Sequence, residues 1–457
     1  MHPSMTSTEK RAAFSLASIY ALRMLGLFMI MPVFAIYAEQ LEYVTPILIG
    51  LAIGIYGLTQ ALLQIPFGML SDRIGRKPVI IGGLLLFALG SVVAAMADNI
   101  YWIIAGRAIQ GSGAIAAAIM ALMADLTSES HRTKAMATIG ASIGMAFTAA
   151  LVLGPILNKW IGVPGIFWMT AVLAIGGVMV VLFVVPAPEH LWRHRDAEPV
   201  AGQFGGVLRN IELLRLDFGI FVMHLVMTSF FLAFPLLLRD VGGIDVSHHW
   251  MVYLPVLLLA VALMIPFIII AEKRGKMKQI FLSAIGLLLM SLAGIALFAT
   301  GRWSLILWLL LFFTAFNLLE ASLPSLISKI APVTSKGTAM GVYSTSQFAG
   351  AFAGGVAGGW VHHTYGLSAV FIFSALLATV WLLFALGMRP PAQLKSMLIN
   401  IRHMKEEHAQ IRSRLLQIEG VREAVIVEEE GVAYLKVDSA TLDEEKLEAV
   451  EALGASA

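Results

Sequence analysis

The sequence predicts an α-helical polytopic membrane protein, with twelve transmembrane helices in two six-helix bundles and a small α+β domain at the C-terminus. Hydrophobic residues make up 59% of the 457 residues and charged residues only 13%, against about 25% charged in an average soluble domain. Apolar runs of about 20 residues, each long enough to span a bilayer as a helix, recur along the chain. After Pro390 and Pro391 the composition becomes charged and soluble in character.

Twelve apolar runs are predicted as membrane spans, at 13–38, 45–70, 78–97, 100–124, 135–157, 165–186, 214–238, 250–270, 279–299, 304–329, 337–359 and 366–388. The longest polar break separates the sixth run from the seventh. It includes a stretch, 208–216, that we expect to form a short helix on the membrane surface. The predicted domains are therefore a first bundle at 1–186, a linker at 187–213, a second bundle at 214–390 and a soluble domain at 392–457.

Positive charge is distributed unevenly over the loops. If the N-terminus is cytoplasmic, the tail and the loops on that side carry sixteen Lys and Arg residues, whereas the opposite loops carry only Lys159, Arg239 and Arg302. The positive-inside rule then predicts that both termini are cytoplasmic. The net charge of +2 indicates no nucleic-acid partner, and the absence of cysteine excludes disulfides and thiolate metal sites.

A charge-rich turn, Gly68–Pro78, joins the second and third spans. So dense a charge cluster marks a membrane surface. Gly68 permits close helix approach and Gly75 permits a sharp turn. The string fits G-x-x-x-D-R-x-G-R-K, the loop signature of the major facilitator superfamily, and the chain therefore resembles this family of transporters.

The resemblance implies a conformational switch on the cytoplasmic side. Asp72, Arg76 and Asp125 would form a charge relay, and Asp72 would face the start of the eleventh helix near Lys336. A carboxylate is favoured there by the positive helix end and its exposed N–H groups. The alternative is a cluster that only sets topology. The predicted switch residues are Gly68, Asp72, Arg73, Gly75, Arg76, Lys77 and Asp125.

The two halves of the chain resemble each other. Residues 66–76 align without gaps with residues 266–276, so that Gly75 corresponds to Gly275. This pattern predicts the parallel duplication of a six-helix unit that facilitator transporters have. Chance similarity of two basic loops is the alternative.

Further motifs lie in the fourth, fifth and eleventh spans. Arg107, Gln110 and Gly111 resemble the R-x-x-Q-G motif of the family's fourth helix, and such an arginine faces a cavity or a partner unless it snorkels to the interface. Glycines in the fifth span resemble, incompletely, those of drug/proton antiporters, and otherwise would serve helix contact. These residues are Gly140, Gly144 and Gly154, with Pro155. Glycines spaced by four predict close packing in the eleventh span, namely Gly350, Gly354 and Gly358.

Polar side chains within the spans are candidates for a transport cavity or for proton coupling. Glu320 is the acid that the predicted spans place well inside the membrane, on the same helix face as Asn317. The alternatives are an ion pair of Glu320 with Arg23 or Arg107, or a position near the cytoplasmic helix end; His224 could instead be a hydrogen-bonded core histidine. The full set is Arg23, Tyr56, Gln60, Gln64, Arg107, Gln110, His224, Asn317, Glu320, Tyr343 and Gln347.

The C-terminal segment predicts a ferredoxin-like β-α-β-β-α order, with strands at 396–402, 423–428 and 433–438 and helices at 404–418 and 443–453. Few residues remain for a fourth strand, so the sheet is three-stranded or completed by a partner. The run 415–421 resembles heavy-metal-associated domains, but their cysteines are missing. His403, Met404 and His408 are a weak substitute, and we expect no metal and no cofactor.

The family resemblance implies secondary transport in a bacterial inner membrane, by proton-driven efflux and alternating access. The partners would be a small-molecule substrate, protons and the lipid bilayer. No phosphate-binding Gly-x-x-x-x-Gly-Lys-Ser/Thr loop supports ATP drive, and no nucleophile-base constellation suggests an enzyme. A membrane sensor that signals through residues 392–457 without transport is the alternative from another class.

Overall fold

Long apolar helices make up most of the computed structural model up to residue 389. It describes residues 5–187, 201–332, 335–389, 394–401, 407–427, 431–438, 441–443, 445–447 and 450. The first half of the chain forms α1 (Ser7–Phe28), α2 (Met31–Ala38), α3 (Pro46–Ile74), α4 (Arg76–Ala95), α5 (Ile100–Ser112), α6 (Ala116–Asp125) and α7 (Glu129–Phe183). The second half forms α8 (Phe204–Arg209), α9 (Ile211–Asp240), α10 (Trp250–Lys273), α11 (Met277–Phe298), α12 (Arg302–Ile330), α13 (Lys336–Tyr365) and α14 (Leu367–Leu386).

These helices account for twelve membrane crossings, as predicted. By length and composition, ten helical segments of the described chain can each span a bilayer. One of the ten lies within α7 and is counted as a single segment, although its helical geometry is interrupted at Gly162, whose φ is 66°. The Gly-rich α13 falls outside the ten, yet it packs between α3 and α9. Counting both halves of α7 and adding α13 gives twelve.

Two predicted single spans are broken in the structure. The first consists of α1 and α2, which meet at Met29 and Ile30, and the fourth consists of α5 and α6, which meet at 113–115. The expected surface helix at 208–216 is wrong. A short helix ends at Arg209, and Asn210 then caps α9 by accepting hydrogen bonds from the backbone N–H groups of Glu212 and Leu213.

The turn between α3 and α4 defines one end of the bundles, here named the motif end; the opposite end is named the far end. Gly75 is the only residue between these helices, and its φ of 100° is one that other L-residues rarely adopt. Gly275, between α10 and α11, also has a positive φ, 62°. The matching turns support the predicted duplication.

Glycines allow α13 to approach its neighbours closely. A Cβ on Gly350 would lie 2.1 Å from the Phe221 carbonyl oxygen of α9, and one on Gly355 would lie 2.2 Å from the Gly50 carbonyl oxygen of α3. The predicted packing role of Gly350, Gly354 and Gly358 is confirmed. In α7, by contrast, a Cβ on Gly140 or Gly144 would meet nothing within 4 Å, so the helix contact considered as an alternative is not made at these two positions. Only Gly154 of the named α7 glycines packs tightly, against the α1–α2 break.

The C-terminal domain contains β1 (Leu394–Asn400), α15 (His408–Leu416), β2 (Val421–Val427) and β3 (Val432–Asp438). The described strands form an antiparallel three-stranded sheet in the order β1-β3-β2. Described residues of the predicted last helix, 445–447 and 450, are helical. His403 and Met404 lie outside the described residues, and His408 begins α15.

Candidate functional site

Arg76 is the centre of the charge cluster at the motif end. Its guanidinium donates to Asp72, to Asp125 Oδ2 at 3.2 Å from Nε, and to Ser71 Oγ at 2.9 Å. The Asp125 side chain is fully buried, whereas that of Asp72 retains 22% of its exposure. The structure therefore brings together the three members of the expected relay, and Arg76 ties the end of α6 to the α3–α4 turn.

The other motif residues have distinct surroundings. A Cβ on Gly68 would lie 3.1 Å from the Ala117 Cβ, so α3 approaches α6 closely at this point. Lys77 Nζ donates to the Val185 carbonyl at 2.7 Å and thereby holds the end of α7. Arg73 is exposed. These contacts attach α3, α4, α6 and α7 to one another at the motif end.

The expected contact of Asp72 with the start of α13 is absent from this conformation. Among the described residues, the hydrogen bonds and ion pairs of Asp72 are to Arg76 alone. At the start of α13, Thr338 Oγ1 donates to Gln203 Oε1 at 3.2 Å. The expected Asp72–α13 contact is therefore not made among the described residues.

Arg23 lies in a buried polar cluster between α1 and α3. Its Nη2 donates to Tyr56 Oη at 2.8 Å and to Gln60 Oε1 at 2.7 Å, and Gln60 in turn donates to Gln64 Oε1 at 3.4 Å. The Phe87 ring lies 5.5 Å from the guanidinium carbon. The other two nitrogens of Arg23, Nε and Nη1, are buried without a hydrogen-bond partner among the described residues.

Arg107 is fully engaged, unlike Arg23. Its Nη1 donates to Gln110 Oε1 at 3.0 Å, while Nε and Nη2 point to the carbonyls of Ala52 and Ile53 at 3.4 Å. Gln110 donates onward to Ser91 of α4 at 2.7 Å. The R-x-x-Q-G residues thus attach α5 to α3 and α4, and the interfacial snorkelling considered for Arg107 is wrong because the residue is 2% exposed.

Glu320 lies in the C-terminal half, on α12. Its Oε2 and the amide nitrogen of Asn317 are buried without a described hydrogen-bond partner. Among the described residues, no ion pair joins Glu320 to Arg23 or Arg107, so the structural pairing considered as an alternative is not made here. Tyr343, the candidate on α13, is 5% exposed.

Asp217 of α9 is a further buried acid, within the predicted seventh span, which the sequence reasoning missed. It is 5% exposed, and both carboxyl oxygens lack a described hydrogen-bond partner. Asp217 lies six residues after the start of α9, whereas Glu320 lies ten residues before the end of α12. A seventh span begun at Ile211, six residues before Asp217, would have revealed it.

His224 and Gln347 join α9 to α13. The Gln347 amide nitrogen lies 2.7 Å from His224 Nε2, so the amide donates to the ring nitrogen. The His224 ring is also 6.4 Å from Phe316, which stacks on Phe147 of α7 at 5.9 Å. This aromatic contact closes the two halves on each other near the polar residues.

The far end is closed by an ion pair between the halves. Arg239 of α9 donates to Glu39 Oε2 at 2.6 Å, next to the end of α2. The glycine-mediated packing of α3 on α13 lies between this ion pair and the central polar residues, at 46–57 and 348–359. In this conformation the far end is therefore sealed by both packing and charge.

The C-terminal domain docks on the motif end of α12. Lys436 Nζ donates to the carbonyls of Lys329 at 3.3 Å and Ala331 at 2.8 Å, and β1 also packs against α12. Burial lowers the pKa of Lys436, although Glu423 opposes the shift. A cation is well placed where the last carbonyls of a helix are unpaired. The domain thus contacts the helix that carries Glu320.

Sequence comparisons cover nearly the whole chain. The family profile of the Major Facilitator Superfamily matches residues 16–354 and 216–400, and the YajR YAM domain profile matches residues 398–450. The inner membrane transport protein YajR of Escherichia coli (strain K12) is 49% identical over 435 residues, which cover 95% of this chain and 96% of that protein. The multidrug resistance protein MdtH of Aeromonas hydrophila is 26% identical, over 74% of this chain and 84% of that protein.

A structural comparison gives the same fold. A bacterial homologue of the human lysosomal transporter Spinster, solved in an inward-facing and occupied conformation, superposes with a TM-score of 0.68. It is 14% identical and covers 84% of this chain and 97% of the other, so the likeness concerns the fold alone. The resemblance predicted from the motifs is confirmed. The chain belongs to the Major Facilitator Superfamily of membrane transport proteins and carries a YajR YAM domain at its C-terminus.

Proposed function

We propose that this protein is a proton-coupled exporter that moves a small molecule out of the bacterial cytoplasm by alternating access. The motif end and both termini would face the cytoplasm, because sixteen loop and tail cations lie on that side and three on the other. The proposed units are the bundles at 1–186 and 214–390, the linker at 187–213 and the domain at 392–457. Proton coupling in particular needs a group that titrates within the membrane.

The observation that carries the proposal is a buried carboxyl oxygen, Oε2 of Glu320. This oxygen has no described hydrogen-bond partner, and no described ion pair neutralises the carboxyl. The proton affinity of a carboxyl depends on its access to water and on neighbouring charges. Alternating access changes both, so Glu320 would bind a proton from one side of the membrane and release it to the other.

The conformation described here fits the cytoplasm-facing state of such a cycle. The far end is sealed by Arg239–Glu39 and by the packing of α3 on α13, whereas Asp72 makes no described contact with α13. In the opposite state Asp72 would reach the start of α13, and the two halves of the protein would separate at the far end. The proposed switch set at the motif end, Gly68 to Lys77 with Asp125, would stabilise one state over the other rather than bind substrate.

A transport assay in inside-out vesicles distinguishes the proposed exporter from a membrane sensor that does not transport. Vesicles with and without the protein would be screened for accumulation of labelled small molecules under an imposed pH gradient, interior acidic. We expect at least one compound to accumulate with the protein, and a protonophore to abolish its accumulation. Accumulation that is insensitive to the protonophore would contradict proton coupling. Absence of protein-dependent flux for every compound, from a protein that is inserted and folded, would favour the sensor.

A further inference from the structure

Two cations from different helices converge on the end of α7, at the motif end. Arg11 of α1 donates from Nε to the Val184 carbonyl at 2.7 Å and from Nη2 to the Phe183 carbonyl at 3.2 Å. Lys77 of α4 donates to the next carbonyl along, that of Val185, at 2.7 Å. These carbonyls belong to consecutive residues, whose Cα atoms are about 3.8 Å apart, so the two charged groups lie beside each other.

The positive charge at this helix end exceeds the negative charge that the described residues supply. The last carbonyls of a helix are equivalent to roughly half a negative charge, against full positive charges on both Arg11 and Lys77. Among the described residues, neither cation forms an ion pair with an acid. Glu9, the acid nearest to Arg11 in the sequence, instead accepts from the backbone N–H groups of Thr6 and Ser128.

The second half of the protein repeats the lysine contact. Lys278 of α11 donates to the Leu386 carbonyl at the end of α14, at 3.1 Å. The two residues are 108 positions apart, as are Lys77 and Val185 in the first half. The two helix ends can therefore be compared directly.

The end of α14 contains its own acid. Arg215 of α9 lies at this end, since a Cβ on Gly387 would be 2.8 Å from Arg215 Nη2. Glu212 Oε1 accepts from Arg215 Nη1 at 2.6 Å, so a full negative charge accompanies the cations. The described residues at the end of α7 supply no such carboxylate, and the comparison indicates that an anion from outside the protein takes its place.

Both cations at the end of α7 keep donors for such an anion. The carbonyl contacts of Arg11 use its Nε–Nη2 edge, and Nη1 makes no hydrogen bond within the described chain. The Nη1–Nη2 edge is thus available to a bidentate acceptor such as a phosphate. Lys77 uses one of the three donors of its ammonium group.

Exposed apolar side chains adjoin the two cations. Phe14, one helical turn after Arg11, is 69% exposed, and Phe183, whose carbonyl Arg11 binds, is also 69% exposed. Leu182 is 53% exposed. Side chains of this kind on a membrane-spanning helix face lipid chains, while cations at the helix end lie at the level of the headgroups. A ligand that presents both a phosphate and hydrocarbon fits this surface better than a free ion.

We propose that the phosphate of an anionic phospholipid binds Arg11 and Lys77 at the end of α7, with acyl chains on the adjoining apolar side chains. Such a headgroup supplies a net negative charge, whereas a choline headgroup brings its own cation and leaves the excess in place. The bound lipid would hold α1, α4 and α7 together at the motif end. The end of α14 needs no such lipid because Glu212 is there.

Thermal unfolding of the purified full-length protein in a neutral detergent tests this inference. The probes are phosphatidylglycerol, phosphatidylcholine with the same acyl chains, and glycerol 3-phosphate, which has the phosphate without the chains. We expect saturable stabilisation by phosphatidylglycerol and much weaker stabilisation by the other two. Arg11→Gln and Lys77→Gln should each raise the half-saturating phosphatidylglycerol concentration about fivefold, because each removes one cation from an anionic headgroup. Lys278→Gln, the matched control, should leave it unchanged.

Three results would overturn the inference. Equal stabilisation by phosphatidylglycerol and phosphatidylcholine would show that the surface selects hydrocarbon and not charge. Equal stabilisation by glycerol 3-phosphate would identify a site for a soluble anion. An unchanged half-saturating concentration in both variants would place the anionic lipid on other cations.

Hydrogen exchange of the wild type decides the question even if a variant fails to fold. The protein would be compared in nanodiscs of phosphatidylglycerol and of phosphatidylcholine. We expect phosphatidylglycerol to slow exchange of the amides around Val185, at the end of α7, and to leave those around Leu386, at the end of α14, unchanged. The same change at both helix ends, or at neither, would contradict a lipid site specific to α7.

Discussion

Replacing Gly355 with valine should open the far end of the protein. A Cβ at this position would lie 2.2 Å from the Gly50 carbonyl oxygen and 2.9 Å from the Gly54 Cα and nitrogen. These are backbone atoms of α3, which cannot rotate away as a side chain can. The helices must therefore separate, and the separation also strains the neighbouring Arg239–Glu39 pair.

The expected magnitude follows from overpacking. Forcing extra carbons into a close-packed contact costs about 1–3 kcal/mol. If the opposite conformation relieves the clash by separating α3 from α13, the balance between the states shifts by about 5- to 150-fold toward it. Gly286→Val on α11 is the matched control, because a Cβ there meets nothing within 4 Å.

The distance across the far end can be measured with spin labels, since the chain contains no cysteine to be removed first. Cysteines at Tyr43 and Tyr365, which are 69% and 68% exposed, place one label on each half. Pulsed electron–electron double resonance between the two labels should show a population at a longer distance in Gly355→Val than in the wild type. Gly286→Val should show no such population. Identical distance distributions in all three proteins would refute the packing argument.

Three further predictions concern the motif end and the C-terminal domain. Asp72→Asn should insert normally but transport poorly, because the state in which Asp72 faces α13 loses about 1 kcal/mol; wild-type transport at equal expression would contradict this. Truncation after Pro391 should leave a folded, purifiable membrane domain, and failure to insert would show that the C-terminal domain is structural. Lys436→Met should loosen docking and speed hydrogen exchange around Ala331, because two carbonyls lose their donor; unchanged exchange would count against the docking contact.

Local signals in the sequence were sufficient for the fold and for the position of the charged turn at the motif end. The twelve apolar runs predicted the helices because the bilayer imposes the length of a membrane span. The charged turn predicted the position of Gly75 because only a few motifs place so many charges between two spans. The contact of Arg76 with Asp125, by contrast, follows from a family resemblance rather than from spacing. It joins residues 49 positions apart, which no local pattern can place together.

The missed features are those that depend on tertiary packing or on conformation. Asp217 was overlooked because the predicted seventh span began at 214, which placed an acid only three residues from the expected membrane surface. The difference between Arg23 and Arg107 is invisible in sequence, since each is a lone arginine in an apolar run. No local sequence signal bears on the Asp72–α13 contact, which is not made among the described residues, because it would join residues from opposite halves of the chain.

The most direct test of the account is to record pH-driven accumulation and gradient-free exchange in the same proteoliposomes, for the wild type and for Glu320→Gln. The substitution keeps the size and hydrogen bonding of the side chain but removes its titration. The account predicts that the variant loses accumulation while exchange continues, and that Glu272→Gln, an exposed acid at the motif end, retains both. Accumulation and exchange both at wild-type levels in Glu320→Gln would contradict the account, and would make His224 the next candidate for coupling.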